Sequence, residues 1–175
     1  MTVPAGLPSR SAAIAIIEEG RARIDELLDR LPRAAFTEPG VGGGMWSPKD
    51  LIGHLASWEE HALDALHAWG RGERAPIDEL WFTLSTSALN DQAVRRKASW
   101  SLARVRKDSE RVHAELLAAI RGMTDARWQG PATPRGRKPL GARLGAIQQG
   151  SGGALFTHDA AHLKSLSAFV AQQAE

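Results

Sequence analysis

Four stretches of the chain repeat apolar residues at three- and four-residue steps, and none alternates cleanly over a strand's length, so the periodicity predicts an all-helical protein. Over 11–31 the stripe is Ile14, Ile17, Ile24, Leu27, Leu28 and Leu31. Pro32 ends it, because proline cannot donate to the helix ladder and pushes the preceding residue away from helical geometry. The stretch 47–70 has the sharpest start: Ser47 is placed to cap, Pro48 suits the first helical position, and Asp50 puts a negative charge at the positive end of the dipole. Its stripe of Leu51, Leu55, Trp58, Ala62, Leu66 and Trp69 runs to Gly70. The stretch 87–121 carries Ala98, Leu102, Val105, Val112, Leu116 and Ile120 and reads as one long helix followed by Gly122. The stretch 140–172 carries Leu144, Ile147, Leu155 and Phe169. Gly150, Gly152 and Gly153 lie inside it, and each costs a helix interior ~1 kcal/mol relative to alanine, so a break or kink is expected there.

Connections of roughly 15 residues separate these stretches, longer than the turns of an up-down-up-down bundle, which implies long crossovers. The expected architecture is a single all-α four-helix-bundle domain over 1–175, with 1–10 as a loosely ordered N-terminal tail. A short extra turn is expected at 124–128, while the apolar run 80–84 is left unassigned by periodicity. Lys and Arg total 22 against 20 Asp and Glu, a net charge of +2, which is not the footprint of a dedicated nucleic-acid binder. The apolar run 12–17 falls far short of the ~18 residues of a membrane span, and the N-terminus lacks the basic-then-apolar pattern of an export signal. A cytoplasmic protein without nucleic-acid or membrane partners is therefore expected. The absence of cysteine excludes disulfides, Cys-ligated metal and a thiol nucleophile from the protein itself.

Chemistry concentrates in the histidines. His158 and His162 are four residues apart, one turn on the same helix face, within the apolar stripe between Leu155 and Phe169. His54 lies one turn after Leu51 and one before Trp58, so it too points inward. Three neutral imidazoles converging inside a bundle would make a tripod for a divalent metal with positions left open for water or substrate. The alternative is that each ring is a core histidine bonded to a backbone carbonyl or packed on a tryptophan.

Trp46-Ser47-Pro48-Lys49-Asp50-Leu51-Ile52-Gly53-His54-Leu55-Ala56-Ser57-Trp58, followed about a hundred residues later by His158-Asp159-Ala160-Ala161-His162-Leu163, resembles the DinB-like superfamily of bacterial four-helix bundles. The middle of the chain, 89–94 and 123–128, is similar to that group as well. The resemblance implies that His54, His158 and His162 bind a divalent metal, zinc or nickel, and that the partner is a small-molecule substrate. It further implies a transferase or isomerase using a low-molecular-weight thiol such as bacillithiol or mycothiol, since the metal lowers the pKa of a bound thiol or water. Two alternatives accompany it: a metal-independent protective hydrolase of the ClbS/DfsB-like branch, and a non-catalytic binding module. The exposed faces of such a bundle are compatible with a homodimer.

Around that tripod, Trp58 is the best-placed aromatic for a pocket, and His61, seven residues after His54, is a candidate for supporting the site or facing substrate. Core packing is the expectation for the other tryptophans. Glu59, Glu60 and Asp64 read either as partners for a ligand ring or as solvated positions. Asp159 is expected at the surface, and Asn90 and Asp91 are expected to cap a helix. The glycine-rich 40–44 reads as a connection, and Arg96, Arg104, Lys107 and Arg111 as a solvated helix face. Arg135, Arg137 and Lys138 are placed to meet an anionic substrate at the mouth of the bundle.

Overall fold

Each long helix begins where the sequence supplies a cap. The computed structural model describes residues 6–150 and 152–173 and is all-helical, with isolated bridges but no strand among the described residues. Ser9 caps α1 (Arg10–Leu28) by accepting from the Ala12 amide. Helix α2 (Pro48–Gly70) opens on a reciprocal pair: Ser47 Oγ accepts from the Asp50 amide at 3.2 Å, and Asp50 accepts from the Ser47 amide at 2.9 Å. Two helices fill the crossover to the third long element: α3 (Pro76–Thr83), which takes up most of the unassigned apolar run, and α4 (Thr86–Lys97). Then come α5 (Leu102–Arg121), the short α6 (Asp125–Gln129), α7 (Leu140–Ile147), α8 (His158–Ala161) and α9 (Leu163–Gln172).

The 87–121 stretch is therefore not one helix. It breaks after Lys97, and Ser101 caps α5 by accepting from the Arg104 amide at 3.2 Å. Ala98, assigned by spacing to the apolar stripe, is exposed in the break. The sequence's apolar period continues across the interruption, which hid it, while the serine that starts the new helix sits in plain view. The first helix also ends earlier than expected, at Leu28, although Leu31 beyond it remains buried. The expected turn at 124–128 is α6, and the expected break within 140–172 falls between α7 and α8. Residues 1–5 of the expected N-terminal tail lie outside the described residues; beyond them Leu7 packs on the core, and the Pro8 carbonyl accepts from Trp128 Nε1 at 2.9 Å.

The bundle is made by α1, α2, α5 and the α8–α9 unit, with α2 packed on α5 and α1 packed on α8 and α9. Two apolar clusters form its core. One gathers Ile17, Trp58, Ala62, Leu116, Trp128, Leu144 and Phe156; the other gathers Ile24, Leu28, Phe36, Leu51, Leu55, Leu166 and Phe169. Along α2 the change from one cluster to the other falls between Leu55 and Trp58, the stretch that His54 adjoins.

Candidate metal centre

Two elements separated by about a hundred residues meet at His54. The ring arrives from the middle of α2, 1% exposed, and rests against Trp46, whose ring centroid is 4.8 Å away. Described residues on either side of the break before α8 set His158. Gln148 Nε2 donates to the Trp58 carbonyl of α2 at 2.7 Å, and the Gln148 carbonyl accepts from the His158 amide at 3.1 Å. Phe156 turns the chain at a φ of 64° and buries its ring, while Gly145 leaves room for it: a Cβ there would lie 2.8 Å from that ring. His162 sits at the junction of α8 and α9, a kink rather than the uninterrupted helix implied by the spacing, yet its ring centroid remains 5.1 Å from that of His158.

The three rings turn their Nε2 atoms together. His54 Nε2 is 3.1 Å from His158 Nε2 and 3.3 Å from His162 Nε2. One nitrogen from each ring lies within 4.8 Å of the others. Two nitrogens held about 2.05 Å from a zinc ion at tetrahedral angles are themselves about 3.3 Å apart, so this spacing fits a shared cation. The protonation state fits as well. Burial, followed by the neighbouring His158 and His162 charges, holds His54 well below the usual imidazole range. Burial, followed by His162, pushes His158 down to about 4, and burial also lowers His162. All three rings are thus neutral near pH 7, the form that ligates. Nδ1 of His54 and of His158 is buried and has no partner among the described residues, so the carboxylate that commonly orients a ligating ring is not supplied at either position.

In front of the rings lies a cavity of about 340 Å³, lined by His54, His158 and His162 together with Trp58, Trp81, Thr86, Asn90, Ala146, Ile147, Gln149, Gly150 and Ala161. Trp58 lines it and is buried. His61 does not line it; its ring packs edge-on against Trp58 at 5.7 Å, and burial, then Arg96, lowers its pKa. Three sequence expectations are corrected here. Asn90 is not a cap, since Ser85 caps α4; its Oδ1 accepts from Trp58 Nε1 at 2.9 Å and fixes the indole. Trp81, assigned to the core, is 39% exposed and lines the cavity. Arg135, Arg137 and Lys138 are exposed elsewhere and do not line it.

Behind the rings is a charge network that spacing did not reveal. Arg21, buried in α1, donates from Nε to Asp159 Oδ2 at 2.6 Å and from Nη1 to Ser109 Oγ at 3.2 Å, and its Nη2 lies 3.2 Å from Glu59 Oε2. Glu59 Oε1 is 2.6 Å from His113 Nδ1. Asp159, expected at the surface, is buried, and so is Glu59. The two carboxylates hold the Arg21 guanidinium charged despite its burial. Glu60 instead pairs with Arg96 and with Lys97, whose ammonium is also 2.7 Å from Asp108. Asp64 is solvated.

A helical bundle presenting three imidazoles to a small cavity defines a class of candidate metal-site proteins. Residues 16–164 match the DinB superfamily, and the chain belongs to it. Among solved structures, the mycothiol-dependent maleylpyruvate isomerase aligns with a TM-score of 0.68 at 18% identity, over 99% of this chain and 70% of that one. A histidine-to-alanine mutant of the same enzyme aligns at a TM-score of 0.69, with the same identity and coverage. No curated protein matches the chain in sequence.

Proposed function

We propose that the protein is a metal-dependent enzyme that activates a low-molecular-weight thiol, or water, for attack on a small electrophile. The observation that carries this reading is the convergence of the His54, His158 and His162 Nε2 atoms at the end of an otherwise uncharged cavity. Zinc or nickel suits a donor set of three neutral nitrogens. When bound there, such an ion lowers the pKa of a coordinated thiol or water and so supplies a nucleophile near neutral pH. The protein's own contribution is to hold three rings deprotonated by burial, to fix Trp58 through Asn90, and to set two indoles and a few uncharged polar groups around the cavity. With no cysteine in the chain, a thiol must come as a cosubstrate. The structural likeness to a mycothiol-dependent isomerase supports that choice.

Metal analysis of protein purified without an affinity tag tests the site. About one equivalent is expected, and less than about a tenth would overturn it. His158→Ala is expected to stay helical by circular dichroism and lose the metal; stoichiometric metal in that variant would show that other residues are the ligands. Turnover of electrophiles with mycothiol, bacillithiol or glutathione then tests the thiol step.

A further inference from the structure

One wall of the cavity is aromatic, and its Trp58 ring adjoins that of His158 at a centroid distance of 5.8 Å. Trp58 and Trp81 lie with ring centroids 6.5 Å apart and planes inclined at 33°. Trp58 is fixed and buried; Trp81, on the short α3, is 39% exposed. Apart from the histidines, the polar lining is Thr86, Asn90 and Gln149, all uncharged, and no Asp, Glu, Lys or Arg among the described residues reaches the cavity. The nearest candidates are engaged elsewhere. Glu59 and Asp159 are turned onto Arg21, and Arg143, on the far side of Trp81, is held by both oxygens of Asp78 at 2.6 Å.

We infer that the electrophile taken by this cavity is an uncharged, flat, aromatic or conjugated molecule packed on Trp81 and Trp58, an assignment that rests on the cavity being the active site proposed above. At about 340 Å³ the space is at the small end of ligand pockets, which run from ~300 to ~1,000 Å³, so the molecule is compact. A carboxylate packed on the indoles, away from the ion proposed at the histidine end where the thiol or water is activated, would give up water without meeting a cationic side chain, a penalty the neutral molecule avoids. The indole faces reward a π-surface at stacking distance, and the two side-chain amides and the Thr86 hydroxyl offer hydrogen bonds to a carbonyl, nitro or amide group.

Binding of meta-nitrobenzamide and meta-nitrobenzoate to the full chain, freed of metal by chelation and held at about pH 8, separates the cases without requiring turnover. The two probes differ in charge and little in shape. By calorimetry or ligand-observed NMR the amide is expected to bind more than about tenfold more tightly than the benzoate. Trp81→Ala is expected to weaken the amide about tenfold, and Trp81→Phe to restore most of that loss. Equal or tighter binding of the benzoate, an amide affinity unchanged by Trp81→Ala, or no amide binding at millimolar concentration would each overturn the inference. Failure to find metal in the native protein would instead sink the functional reading and leave this preference standing, so the two failures are distinguishable.

Discussion

Replacing Arg21 by methionine removes one buried charge while keeping most of the side chain's volume. The guanidinium meets Asp159 at 2.6 Å, Glu59 at 3.2 Å and Ser109 at 3.2 Å, and both carboxylates are less than a tenth exposed. The substitution strands Asp159, whereas Glu59 retains His113 at 2.6 Å. Removing one partner of a buried ion pair costs about 3–5 kcal/mol, because the remaining charge has lost its water and gained nothing in return. With one carboxylate stranded and the other half-satisfied, a loss of about 4 kcal/mol is expected. At about 2–4 °C per kcal/mol for a chain of this size, the melting temperature should fall by roughly 8–16 °C. Urea unfolding followed by far-UV circular dichroism near neutral pH measures it. The decisive arm is the pair Arg21→Met with Asp159→Asn, which removes the stranded charge and is expected to recover about half of the loss. A loss below about 1 kcal/mol would refute the reasoning, since it would mean the ion pair is as solvated as a surface pair. A double variant no more stable than the single would equally refute it, because the penalty would then not reside in the stranded carboxylate.

Acid should destabilise the metal-free protein well before its carboxylates titrate. His158 falls from 6.5 in the unfolded chain to about 4 when folded, so between those values the unfolded state binds more protons and stability drops as pH falls; His54 and His162 act in the same direction. From His158 alone, a loss of about 2 kcal/mol between about pH 7.5 and 5 is expected in urea titrations, and His158→Gln should flatten that slope; an unchanged slope would remove His158 as its source. Gly141 lies flat against Trp128, where a Cβ would come within 2.4 Å of the indole. Gly141→Ala should therefore cost about 3 kcal/mol by forcing a fully buried ring to move, and a neutral substitution would show that α7 slides freely.

Much of the bundle was legible because its cues are local. Ser47, Pro48 and Asp50 start α2 where the spacing placed it, and the glycines of 150–153 mark the break between α7 and α8. The three histidines were legible because an ionisable ring on an apolar stripe has only a few uses. The break after Lys97 was hidden because apolar period and helical continuity are different properties: Leu102 and Val105 keep the phase of the stripe although the chain has been recapped at Ser101. Nor did Trp81 declare its place, since a short apolar run looks alike whether it faces a core or walls a cavity.

The Arg21 network was hidden for a different reason, and that reason bears on the site itself. Apolar periodicity says which face of a helix is inside; it does not say which polar residues at the edge of that face meet across 138 positions of sequence, as Arg21 and Asp159 do. Two pairs of neighbours straddle that edge. On α2, Trp58 turns to the cavity and Glu59 to Arg21; on α8, His158 turns to the cavity and Asp159 to the same guanidinium. Adjacent helical residues diverge by about 100°, so each pair delivers an uncharged group to the front and a carboxylate to the back. Arg21 is what makes this tolerable, by meeting both carboxylates inside the bundle. Gly20 makes it sterically open, since a Cβ there would stand 3.2 Å from that of Asp159. The uncharged character of the cavity therefore follows from a buried cation on its far side, and a change at Arg21 should register at the histidines even though it touches none of them.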